Sequence, residues 1–133
     1  MPTATAVATA TLRAIQIGTP IPNELARMNE ANAVSVEIVP LNLYDATAEA
    51  LEFEVAVTTH SVDLNYDFAT IATLRSDAGE EVAALKWDGP VGGHHVSGVL
   101  SFPALKARGQ TMALVLRGIA DVPERTFVWP ANR

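Results

Sequence analysis

The chain has 133 residues, 49% of them hydrophobic, with no cysteine, three histidines and a formal net charge of -6. That length suits one domain with a sizeable core, and the missing cysteines exclude disulfide scaffolds, thiolate zinc sites, iron–sulfur clusters and cysteine nucleophiles. The acidic balance argues against a nucleic-acid partner, and no apolar run approaches the ~18 residues of a transmembrane segment.

The opening MPTATAVATATL is rich in alanine and threonine, and the first basic residue is Arg13. A secretory leader places basic residues ahead of an apolar core, so none is expected in the chain as written. An Ala/Thr-rich stretch ahead of a β domain has the character of a linker following a removed leader. An extracytoplasmic or secreted location is therefore expected, with the cytoplasm as the alternative. Residues 4–14 alternate apolar and polar side chains, and the phase flips at Ile15 and Ile17, as at a bulge or a change of sheet. Residues 1–18 read as a strand or arm that pairs within the domain or with a neighbouring subunit.

Residues 23–32, NELARMNEAN, read as a loop or one helical turn. Val34, Val36 and Ile38 then alternate with Ser35 and Glu37, predicting a half-buried strand that Pro40 interrupts or places on an edge. Leu51, Phe53, Val55 and Val57 alternate with Glu52, Glu54 and Ala56, the cleanest strand in the chain. Residues 58–69 read as a loop. Strands near 70–75 and 80–87 flank the SDAG turn, and WDGPVGG (87–93) reads as a loop. Further strands follow at about 95–102, 111–117 and 125–129. Seven to eight short strands predict an all-β, single-domain, antiparallel two-sheet sandwich, immunoglobulin-like or cupredoxin-like.

Charge is uneven. Glu37 to Asp88 holds eleven acidic and two basic residues, Arg75 and Lys86, while the remainder is net basic. Solvated strand faces account for this, and an acidic surface attracting cations is the sharper reading.

The histidines fall in two motifs, His60 in TTHSVDL and His94–His95 in GGHHVSG. Both stand where a loop meets a strand, the usual place for a site on a sandwich. His60 is out of phase with the inward series 51, 53, 55 and 57. On a regular strand His94 and His95 point to opposite faces, but Gly92 and Gly93 permit backbone angles that turn both one way. Imidazoles suit copper and zinc, so His60, His94 and His95 are candidate ligands. Asp63 and Asp88 are candidates for a fourth ligand or for fixing the imidazole tautomers. The alternative keeps the histidines structural, tying two loops together around Trp87. A blue-copper centre is excluded because it needs a cysteine thiolate.

Other chemistry finds less support. There is no G-x-S-x-G elbow for Ser61 or Ser97 to serve and no phosphate-binding glycine loop, so no organic cofactor is expected. Glu52 and Glu54 share a strand face as solubility residues rather than as a glycosidase pair. Tyr66, Phe68, Trp87, Phe102, Phe127 and Trp129 read as core or sheet cover, with a carbohydrate platform as the lesser option.

TH-x-x-x-L and W-D-G-x-x-G-G-H-H-x-x-G-x-L-x-F map onto His60, Leu64, Trp87, Asp88, Gly89, Gly92, Gly93, His94, His95, Gly98, Leu100 and Phe102. Through these motifs the chain, from about Val34 to Trp129, resembles a family of small uncharacterised bacterial sandwich proteins, often exported or lipid-anchored. The resemblance implies a β-sandwich with a loop site and no established activity. The function expected is a non-enzymatic sandwich binding copper or zinc. The alternative is an adhesion or assembly module polymerising by exchange of the N-terminal strand, with structural histidines.

Overall fold

The computed structural model describes residues 24–132, so the expectations for residues 1–18 lie outside the described residues. Among the described residues nine strands form two sheets. In chain order they are β1 (Arg27–Ala31), β2 (Val34–Pro40), β3 (Ala50–Thr59), β4 (Ala72–Ser76), β5 (Glu81–Ala83), β6 (Lys86–Asp88), β7 (His95–Pro103), β8 (Thr111–Arg117) and β9 (Glu124–Pro130). One sheet runs β1-β2-β3-β7-β6 and the other β9-β8-β4-β5, with every neighbouring pair antiparallel. A single core cluster joins their inner faces, making the antiparallel sandwich that the alternating pattern predicts.

The central strand is β3. Leu51, Phe53, Val55 and Val57 are fully buried, while Glu52 and Glu54 point to solvent. Burying large apolar side chains is worth about 1.5–3 kcal/mol each. Phe53 stands edge-on to Phe102, with centroids 5.7 Å apart, and 5.4 Å from Trp129 of the opposite sheet. These rings interdigitate the two layers.

Besides the short helix at residues 68–71, where a loop and the start of a strand are expected, three strand expectations differ, each for a tertiary reason. The segment read as a loop or one helical turn at 23–32 contains β1. Its inward positions are Arg27, Asn29 and Ala31, because they face the side where β1 meets β9 rather than the apolar centre. There Arg27 Nε donates to Val128 O at 3.0 Å, and Trp129 Nε1 donates to Leu25 O at 2.6 Å. Pro40 ends β2, which lies inside its sheet between β1 and β3. The strand expected at 80–87 is divided between the sheets. Ala84 N donates to Ala72 O of one sheet and Leu85 N to Ser101 O of the other, so residues 81–88 cross the edge of the sandwich. This crossing, together with β1, raises the strand number above the seven to eight expected.

The two-residue turn between β1 and β2 is built on left-handed backbone at Asn32 (φ 51°) and Ala33 (φ 66°). Such a turn prefers Asn-Gly, because a Cβ at the second position costs roughly 1–2 kcal/mol. Ala33→Gly is therefore expected to raise stability by about 1 kcal/mol, read as a higher urea midpoint with an unchanged slope.

The helix α1 (Phe68–Ile71) begins at Asp67, whose side chain accepts a hydrogen bond from Ala69 N. Its buried Phe68 stands 4.9 Å from Trp87, edge to face, and plugs the sandwich beside β6 and β7.

Candidate functional site

The alternation of β3 carries one residue beyond its apolar series and determines how the first motif leaves the strand. Thr59 takes the inward position after Val57 and is only 2% exposed. Its hydroxyl donates to Ala33 O at 2.7 Å and accepts from Ser61 N and Val62 N at 3.3 and 3.2 Å. The turn over Thr59 brings Leu64 down into the core and leaves His60 on the outward face. Thr59→Val is close in volume but removes all three bonds. It is expected to cost about 2 kcal/mol by urea denaturation, since buried groups left without partners cost about 1–3 kcal/mol.

The second motif is joined to the first by the backbone. Thr59 N donates to His94 O at 2.9 Å, Leu64 N to Gly93 O at 3.0 Å and Gly92 N to Leu64 O at 2.9 Å. Gly92 and Gly93 both have positive φ, 102° and 98°, where a side chain would be strained. These angles let the chain make both loop bonds and still enter β7 in register. Thr58 then stands opposite His95.

His60 lies two residues beyond Thr58 on the same face, diagonal to His95. Their ring centroids are 6.4 Å apart and the planes are nearly perpendicular, at 82°. Both side chains are exposed, as is His94. The two carboxylates serve different places. Asp63 Oδ1 accepts from Gly93 N at 3.4 Å and Oδ2 from Asn65 Nδ2 at 2.7 Å, so Asp63 secures one loop to the other. Asp88 pairs with Val99, four residues along β7 from His95, or about 13 Å at strand spacing. The fold therefore brings together His60 and His95, with Asp63 holding the loops behind them and Asp88 well along the sheet. Among the described residues no three His, Asp or Glu side chains gather as a metal-binding group.

Beside the pair lies an open cleft of about 650 Å³, lined by His60, Thr58, Ser35 and Glu30 among others, with His95 outside the lining. The strand register explains its floor. Glu30 faces Ser35, Ser35 faces Thr58 and Thr58 faces His95, one row of outward side chains across four strands. Glu30, Ser35 and Thr58 were not legible as a group in the sequence, because their proximity depends on pairing three separate segments with β7.

Arg125 is a second residue whose role the sequence conceals. It belongs to the net-basic remainder outside residues 37–88, yet it is completely buried. The available signal was its phase, since Arg125 takes the same inward alternation as Phe127 and Trp129.

Among the described residues no helix is long and apolar enough to cross a membrane. No protein-family model matches the chain, and no curated protein does. Two solved structures are similar in fold. The first is MPT63, a secreted protein from Mycobacterium tuberculosis, at 12% identity and a TM-score of 0.48, covering 79% of this chain and 91% of that one. The second is a DUF4426 family protein from Pseudomonas aeruginosa PAO1, at 8% identity and a TM-score of 0.43, covering 80% and 93%.

Proposed function

We propose that this protein is a non-enzymatic β-sandwich module that binds copper or zinc at its loop end through His60 and His95. The observation that carries the reading is the exposed pair of imidazoles on one sheet face, with centroids 6.4 Å apart. An ion bonded to a nitrogen of each ring at about 2.0–2.1 Å lies roughly 3 Å from each centroid, so opposed rings bridge it at about 6 Å. Small rotations of two solvent-exposed side chains reach that spacing. Water fills the remaining positions, which keeps the affinity well below that of a closed four-ligand centre. Asp63 supports the site by holding the GGHH loop against the TTHSVDL loop. An extracytoplasmic location belongs to the same proposal, supported by the Ala/Thr-rich composition of residues 1–12.

Calorimetric titration with copper and zinc chlorides tests the reading. His60→Gln and His95→Gln are each expected to weaken binding at least tenfold. His94→Gln separates a two-histidine site from one that recruits a third ring. Metal at about 100 times its dissociation constant is expected to add about 2.7 kcal/mol of stability and raise Tm. Equal millimolar affinity in wild type and variants, with unchanged melting, overturns the proposal.

A further inference from the structure

We infer that the site takes its copper together with a small amino-carboxylate chelator whose side chain carries an ammonium group, seated in the cleft beside His60. The inference rests on the two-histidine reading above and adds the ligand that completes it. Copper(II) favours a tetragonal set of nitrogen and oxygen donors, so two imidazoles leave in-plane positions open. Among the described residues no third His, Asp or Glu joins the pair. His60 forms part of the cleft wall, so an ion held on its ring presents open positions to the cleft.

The cleft floor matches such a chelator in chemistry and in order. Next to His95 in the cross-strand row come Thr58 and Ser35, and the row ends at Glu30. Neither the Thr58 nor the Ser35 hydroxyl makes a hydrogen bond among the described residues, so both are available to donate to a carboxylate. At ~4.8 Å between strands, the row from His95 to Glu30 spans about 14 Å. An α-amino acid bound to the metal through its amine and carboxylate, with a four-carbon side chain ending in an ammonium, extends about 6 Å further towards Glu30. The Glu30 carboxylate is the charge complement at the far end of the row. One chelator's two donors need adjacent positions, so with the amino acid bound the exposed imidazoles rotate to hold the ion at about 90° to one another, with centroids a little over 4 Å apart, rather than opposed across it.

The test compares copper(II) alone, copper(II) with lysine and copper(II) with norleucine, which has the same chelating head and no ammonium. Electron paramagnetic resonance reads the donor set, and calorimetry reads the affinity. In wild type the copper–lysine complex is expected to bind about threefold more tightly than copper–norleucine, the size of an exposed ion pair. Both are expected to add an amine nitrogen to the two imidazole nitrogens in the spectrum. Glu30→Gln should abolish the lysine preference while leaving copper alone unaffected. Ser35→Ala with Thr58→Val should weaken both amino-acid complexes and spare copper alone. If copper binds through the histidines but neither amino acid alters its spectrum, or lysine and norleucine bind equally, the chelator inference is overturned and the histidine site stands. If copper fails to bind wild type, both fall.

Discussion

Replacing Arg125 by leucine is expected to lower the unfolding free energy by about 4 kcal/mol and Tm by roughly 15 °C. The guanidinium has no exposed surface and, among the described residues, no carboxylate partner. One terminal nitrogen donates to Asn29 Oδ1 at 2.9 Å and Val34 O at 3.2 Å. The other donates to Ala31 O at 3.0 Å and Ile119 O at 3.2 Å. The charge is therefore solvated by four oxygen dipoles drawn from β1, β2 and the turn after β8. Leucine would fill part of the volume but strand four acceptors, each costing about 1–3 kcal/mol when buried without a donor, less whatever relaxation recovers. Among the described residues Arg125 Nε has no partner even in the native arrangement, a cost the fold already carries.

The same residue fixes an expectation for pH. Burial draws the Arg125 pKa below the ordinary guanidinium value, with Tyr66 opposing it. For a base, a folded-state pKa below the unfolded one means that folding disfavours the charged form. Stability would rise only as the pH climbs past that folded-state pKa, and the guanidinium stays charged throughout the working range. The Arg125→Leu loss should accordingly be the same at pH 6 and pH 8 by urea denaturation. Arg125→Lys keeps the charge but cannot span four acceptors, and should lie between the two. An unchanged midpoint for the leucine variant would refute this account of the hub.

The second large effect is expected at Gly98, inside the WDG-x-x-GGHH-x-x-G motif. Gly98→Ala should cost about 3 kcal/mol, at the upper end for an overpacked core. A Cβ at Gly98 would stand 2.5 Å from Asp88 O, 2.8 Å from Gly89 Cα and 2.9 Å from the Trp87 ring. Two of those neighbours are backbone and cannot rotate away. Trp87 is held in turn by its Nε1, which donates to Pro90 O at 3.0 Å, and by its edge contact with Phe68. The added methyl must therefore push β6 off β7 or lift the indole. Trp87 emission should shift to longer wavelength in the alanine variant as the ring gains exposure. A variant with native emission and native stability would show that β6 yields freely.

These two residues divide what was readable in advance from what was not. β3 was readable because its inward positions are all apolar and its outward ones acidic, and a period of two then admits only a half-buried strand. The outward phase of His60 was readable on the same ground. β1 was not, since its inward Arg27 and Asn29 answer to Val128 O and Arg125 across the sandwich rather than to an apolar centre. The division of residues 81–88 between two sheets was hidden as well, because a strand crossing an edge keeps its local pattern while changing partners.

For the site, the sequence by itself determined that three imidazoles and no thiol were available, that they stood at strand–loop junctions, and that Gly92 and Gly93 freed the backbone between them. Only the tertiary structure decided which rings meet. His60 and His95 are 35 positions apart and become diagonal neighbours because β3 pairs with β7 at Thr58 and His95. Asp63 and Asp88, alike as candidate carboxylates in the sequence, part for the same reason, one bonded into the histidine loops and the other paired four residues along β7. Side-chain alternation is a property of each strand alone, whereas register is a property of two strands together. The first is written along the chain, and the second exists only once the chain has folded.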